Sequence, residues 1–297
     1  MDKASFFIEG KALFGSFPTQ NSVNELESQG VRYFINLTHE KESKIKSYTT
    51  NYTYINYPIN DRSVPKNYTE YACFIIKITD IIKELVDDEK IYIHCKGGHG
   101  RSGVVVASIL CYINNISPEE AIENTTYYHN KRLVMRDKWR KIGSPQTKQQ
   151  KKFIYKFFSK IIFCKTYGHG RVAGFSTFTP HKITYNGITY PTAEAAIQAQ
   201  KNVGDVSYVI SQQTCTSGLQ SINLGNKINC REDWDTVYKD IVYDVIKAKF
   251  DQYPELKNNI LRTGLGPIIH HSKISNDNIL GTILFKLRFL YYKENMI

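Results

Sequence analysis

Five residues separate Cys95 from Arg101 in the stretch Ile91-Tyr92-Ile93-His94-Cys95-Lys96-Gly97-Gly98-His99-Gly100-Arg101-Ser102-Gly103. A nucleophilic thiolate below an arginine fork can attack a phosphate monoester. The apolar run before Cys95 is β-prone. After the loop, Val104-Val105-Val106-Ala107-Ser108-Ile109-Leu110 reads as a buried helix. Strand, tight loop and helix N-terminus make an anion cradle, because loop N–H groups and the helix dipole converge on one point. Helix termini and nearby cations depress thiol pKa values, so Cys95 is expected as a thiolate. Arg101 offers a planar fork for two phosphate oxygens, and Ser102 a hydrogen bond to the sulfur. Gly97, Gly98 and Gly100 let the backbone turn its N–H groups inward. An isolated cysteine beside a turn is most often structural. The pairs His94-Cys95 and Arg101-Ser102 at this spacing argue for chemistry instead.

The stretch resembles the phosphate-binding loop of the cysteine-dependent protein phosphatases, the dual-specificity group above all. That resemblance implies a hydrolase with a phosphocysteine intermediate, no metal and no cofactor. It also implies an upstream aspartate, matched by Asp61 in the Pro-flanked loop Tyr57–Pro65. An aspartate there is usually a turn former, but the departing alkoxide or phenoxide needs a general acid. Cys95, Arg101, Asp61 and Ser102 are therefore the expected catalytic residues. His94, Lys96, Gly97, Gly98, His99 and Gly100 are the expected substrate-binding ones, with His94 as a hydrogen-bonding brace for the loop. Lys96 and His99 add positive charge, a feature shared with relatives that act on phosphoinositides. Phosphoprotein, phosphoinositide, RNA 5′ end and nucleotide all stay open as substrates. A phosphate reader without turnover is the rival, and the intact Cys95, Arg101 and Asp61 argue against it.

The elements that must position this loop alternate. An opening strand or hairpin spans Phe6–Phe14, and a capped helix spans Asn21–Glu27. Strands follow at Val31–Leu37 and Tyr52–Tyr57, a long helix at Glu70–Val86, and the strand Lys90–Ile93. The expected fold class is α/β, a mostly parallel central sheet flanked by helices with the site at a strand's carboxyl end. Ser117-Pro118 and Ser144-Pro145 each read as a helix start. The basic stretch from Lys131 to Lys152 reads first as a solvated face, and secondly as a surface that steers an acidic substrate or RNA.

The chain has 297 residues, 41% of them apolar, and a net charge of +11. That is long enough for two domains with cores of their own. The charge fits polyanionic partners or an ordinary soluble basic surface. Six cysteines without metal-ligand spacing suit reduced thiols, and no apolar run is long enough to span a membrane. The expected location is cytoplasmic.

After a linker at 159–165 the composition shifts. Gly168-His169-Gly170 reads as loop, and Ile183–Tyr190 as a hairpin centred on Asn186-Gly187. Pro191–Lys201 reads as a helix with Glu194, Gln198 and Lys201 along one stripe. Phe175-Ser176-Thr177-Phe178, Tyr190–Glu194, Gln198–Lys201, Asp233-Trp234, Lys249-Phe250 and Asn278–Gly281 together resemble the NADAR (YbiA-like) family. Family members cleave N-glycosidic bonds in riboflavin-pathway intermediates or remove ADP-ribose from guanine bases. The resemblance implies an ADP-ribose-like ligand, with Glu194 and Lys201 lining its pocket. Two departures point to binding with little cleavage. His270 stands near the family's usual glutamate, and His271–Asp277 is short and lacks a tryptophan. The expected domains are 1–158, phosphatase-like, and 166–297, smaller and mainly helical.

Overall fold

In the computed structural model, residues 2–40, 42–43, 45–164, 172–271 and 278–296 are described. The loop read at 168–170 and the shortened segment 272–277 lie outside them. The chain divides into two compact units at Phe158/Ser159.

The first unit opens on β1 (Ala4–Ile8), β2 (Ala12–Ser16), α1 (Gln20–Ser28), β3 (Val31–Asn36) and β4 (Thr53–Asn56). Then come α2 (Tyr68–Glu84), β5 (Lys90–Cys95), α3 (Arg101–Asn114) and α4 (Pro118–Asn130). The unit closes on α5 (Asp137–Ile142) and α6 (Lys148–Phe157). The sheet order is β1-β2-β5-β3-β4. Only the β1/β2 pair is antiparallel. β5 is central and nearly all buried because both faces are covered, which explains its unbroken apolar run. Alternation sends Leu13, Phe34 and Tyr92 to the face that packs on Val23 and Leu26 of α1. Val104, Val105, Val106, Ile109 and Leu110 of α3 are at most 2% exposed. Each contributes about 1.5–3 kcal/mol by burial. Tyr71 of α2 donates to Ser108 of α3 at 3.0 Å and locks the two helices together.

The start expected at Ser144-Pro145 is displaced. Those residues precede the helix, and Thr147 caps α6 in a reciprocal box with Gln150.

The second unit carries β6 (Ile161–Cys164), β7 (Ile183–Tyr185), β8 (Ile188–Tyr190), α7 (Ala193–Ala199), α8 (Val206–Gln213) and α9 (Gly218–Gly225). It continues with α10 (Trp234–Gln252), α11 (Pro254–Leu261), β9 (Ile268–His271) and α12 (Ile279–Glu294). Most of the linker expected at 159–165 is thus strand β6, which pairs in parallel with β9. Its alternation of buried Ile161 and Phe163 with exposed Ile162 and Cys164 was the available signal. The β7–β8 hairpin turns through Asn186 and Gly187, both at positive φ. α7 ends at Ala199, so Lys201 lies past the helix and shares no stripe with Glu194. Among the described residues, no helix is long and apolar enough to cross a membrane.

Candidate active site

β5 delivers Cys95 to the sheet's carboxyl edge, and α3 begins six residues later at Arg101. Between them the chain folds back, and Gly98 takes φ +73°. A Cβ there would lie 2.6 Å from the Gly15 carbonyl oxygen, so only glycine fits this approach. Cys95 is buried, and its Sγ lies 3.5 Å from the Ser102 hydroxyl, a contact in which either group could donate.

Arg101 is 1% exposed and heavily engaged. Its Nη1 and Nη2 donate to the two carboxylate oxygens of Glu42 at 2.6 and 2.8 Å. Nη1 also donates to the Ile59 carbonyl at 3.0 Å, and Nη2 lies 3.1 Å from Asp61 Oδ1. Burial alone would pull the guanidinium pKa down, but the hydrogen bonds and charges of Glu42, Cys95 and Asp61 outweigh it. The Arg101 fork in turn holds the Glu42 carboxyl below its usual range. Arg101 thus ties the Asp61 loop to the cradle, and Asp61 stays 59% exposed at its mouth.

Glu42 was not legible in the sequence. It sits in a polar excursion between β3 and β4, far along the chain from Arg101. That excursion is pinned by Tyr48, whose hydroxyl meets His94 Nε2 at 2.7 Å, and by Lys96 Nζ, which donates to the Ser43 carbonyl at 2.8 Å.

The structure engages three loop residues with the protein itself. His94 is fully buried against Phe17, Tyr48 and Tyr92, so its ring braces the excursion and cannot touch substrate. Lys96 spends its charge on the Glu42 side. His99 adds no positive charge at neutral pH, because burial and the Arg132 guanidinium push its pKa down to about 4. Its Nδ1 meets His129 Nε2 at 2.8 Å, and its ring stacks on Trp139 with centroids 4.8 Å apart.

Arg132, expected on a solvated face, is 2% exposed. It donates to the carbonyls of Gly98 at 2.8 Å and Phe14 at 3.1 Å, bracing the loop from below. Ser144 donates to the His99 carbonyl at 2.7 Å, and Gln150 to the Ser63 carbonyl at 3.1 Å. A Cβ on Gly100 would strike Gln150 at 2.9 Å.

Burial keeps His94 and His129 neutral as well, each with a pKa near about 3. The unfolded chain takes up these protons from about pH 6.5 downward, whereas the fold refuses them until about pH 4 or below. The unfolded state then binds more protons, so stability is lost as the pH drops through that window. His94 alone contributes a slope of about 1.4 kcal/mol per pH unit. Hydrogen exchange at the β5 and α3 amides should accelerate steadily between pH 6.5 and 4 after correction for intrinsic rates. A flat corrected profile would refute the buried neutral histidines.

In the second unit, Glu194 is buried. Its Oε2 accepts from the Thr177 hydroxyl at 2.7 Å and its Oε1 from Gln198 at 2.9 Å. Lys249 is fully buried and donates to Gly174 O, Ser176 O and Thr179 Oγ1 within 2.8 Å, which fixes the 174–179 turn beside Glu194. Burial lowers the Lys249 pKa to about 7. Lys201 donates to the Gly225 carbonyl at 3.1 Å, with its Nζ 5.9 Å from the Trp234 ring centroid. Tyr238 packs on Trp234 at 5.3 Å, and its phenol pKa is raised by burial and by the Glu194 charge. Lys201 and Glu194 thus each lie beside α10, Lys201 near Trp234 and Glu194 near Tyr238. Asn278 closes the far end. It accepts from His270 N at 2.7 Å and donates to Ile268 O at 2.9 Å.

A thiol on a strand–loop–helix cradle, with an arginine at the helix start, defines a cysteine-dependent phosphatase fold. The family description "Dual specificity phosphatase, catalytic domain" matches residues 13–142, and "NADAR domain" matches residues 157–288. The chain belongs to the dual-specificity/tyrosine phosphatase family, with a NADAR domain fused behind the phosphatase domain. It is 35% identical over 286 residues to "Putative tyrosine phosphatase 197R" of Invertebrate iridescent virus 6, covering 96% of this chain and 90% of that protein. "Putative tyrosine phosphatase 067L" of Invertebrate iridescent virus 3 is 38% identical to it over 164 residues, which is 54% of this chain and 68% of that protein. N-glycosidase YbiA of Escherichia coli (strain K12) is 29% identical over 128 residues, 38% of this chain and 78% of YbiA.

Proposed function

We propose that the first unit hydrolyses phosphate monoesters through a phosphocysteine, in the manner of protein-tyrosine and dual-specificity phosphatases. The observation that carries this is Arg101, which gathers Asp61 and Glu42 at the mouth of the loop that holds Cys95 and Ser102. The Cys95 sulfur attacks phosphorus in line, so an S–P bond forms as the P–O ester bond breaks. Asp61 gives its proton to the departing oxygen. Water, deprotonated by Asp61, then attacks phosphorus, and the sulfur leaves with the Ser102 hydroxyl turned toward it. Arg101 and the loop N–H groups hold the equatorial oxygens. Rapid acid quench during turnover of an aryl phosphate, followed by mass spectrometry, should find phosphate on the Cys95 peptide. Full turnover without that adduct would reject the scheme.

For the second unit the reading is recognition of an ADP-ribose-like ligand, with N-glycosidase activity weak or absent. The cluster of Glu194, Lys201, Trp234 and Tyr238 supports it, since it offers a carboxylate for ribose hydroxyls, a cation for phosphate and an aromatic face. Calorimetry with the full chain should detect ADP-ribose binding that weakens about tenfold in Glu194→Ala. No heat from the unaltered chain, with no ribosyl product released, would leave this cluster structural.

A further inference from the structure

A cavity of about 230 Å³ adjoins the cradle, with Gly97 and His99 of the loop in its wall. Lys3, Arg132 and Arg136 also line it, and no carboxylate does. Neither Lys3 nor Arg136 forms an ion pair among the described residues, in contrast to Arg101 with its two carboxylates. Arg132 is buried with its fork spent on backbone carbonyls, and its Nε has no hydrogen-bond partner among the described residues. A buried cation whose hydrogen-bond partners are all neutral carbonyls favours an anion close by. Trp139, stacked on His99, adds a flat aromatic wall to the cavity.

We propose that this cavity binds a second phosphoryl group of the substrate, so that the enzyme prefers a phosphate joined by an anhydride to another phosphate over a lone monoester. The inference rests on the phosphatase reading for the loop itself. Gly97 and His99 belong to both sites, so a phosphate on the cradle has its neighbour beside Lys3 and Arg136. The short reach between sites that share one loop favours directly linked phosphates over two esters far apart on a flexible chain.

The probes are inorganic phosphate and inorganic pyrophosphate, as competitive inhibitors of aryl phosphate hydrolysis and as calorimetric ligands of the full chain. Pyrophosphate should bind at least about tenfold tighter than phosphate. The combined Lys3→Ala and Arg136→Ala substitutions should collapse that ratio toward one. Both residues are exposed, and the ratio does not depend on how much activity survives. Lys138→Ala with Lys141→Ala, which removes equal charge outside the cavity, should keep the ratio. Equal affinities in the unaltered chain would overturn the subsite, as would a ratio that survives the Lys3/Arg136 change or falls equally in the control. Calorimetry decides the subsite even if no aryl phosphate is hydrolysed, an outcome that would sink the phosphatase reading alone.

Discussion

Cys95→Ser should reduce aryl phosphate hydrolysis by at least about a thousandfold while leaving the fold intact. The hydroxyl is nearly the size of the thiol and sits equally well 3.5 Å from Ser102. It does not ionise near neutral pH, so the cradle's donors would surround a weaker nucleophile than sulfur. Arg101 and the loop N–H groups remain, so the Cys95→Ser protein should still bind vanadate or a phosphorylated ligand. Activity in the unaltered enzyme should survive a chelator, since the proposed scheme routes no step through a metal. Residual turnover within tenfold of the original would end the case for Cys95 as nucleophile.

Asp61→Asn should have the second largest effect, roughly a hundredfold or more on substrates with a poor leaving group. The amide keeps the shape and can still face Arg101, where the carboxylate now lies 3.1 Å from Nη2. It cannot surrender a proton to an alkoxide. Loss should therefore shrink for strongly acidic phenols, which leave unprotonated. The limb of the pH profile that reports the protonated acid should disappear as well. In the proposed scheme an arriving phosphate would compete with Asp61 for Arg101 while Glu42 keeps its bidentate hold. Equal losses across all leaving groups would make Asp61 a positioning residue and move the acid elsewhere.

The cradle was legible because its parts are adjacent in sequence. Strand, glycines, arginine and helix occupy one unbroken stretch, and local chemistry dictates them. The alternation of strands and helices read through to the right order for the same reason. What stayed hidden was non-local. Glu42 looks like any acid in a polar loop until the sheet brings its excursion over Arg101. Arg132 looks like one more cation in a basic run, because burial leaves no mark on composition. Lys201 looked continuous with Glu194, since helix ends are set within a residue or two by tertiary contacts. At Ser144-Pro145 a proline gave a false start, although Thr147 and Gln150 carry the capping-box signature in plain view. His99 looked like a charge because a ring's protonation depends on packing that sequence alone does not show.

The braces of the cradle arrive late in chain order. Ser144 holds the His99 carbonyl, and Gln150 fills the space over Gly100 and grips the Ser63 carbonyl. A ribosome translating this message therefore finishes the thiol long before it delivers the last residue that supports it. Domains fold as units during synthesis, so a nascent chain halted before α6 would present Cys95 on a loop that lacks the Gln150 brace. The protein's working lifetime as an enzyme would begin only once the helix that carries Gln150 has docked.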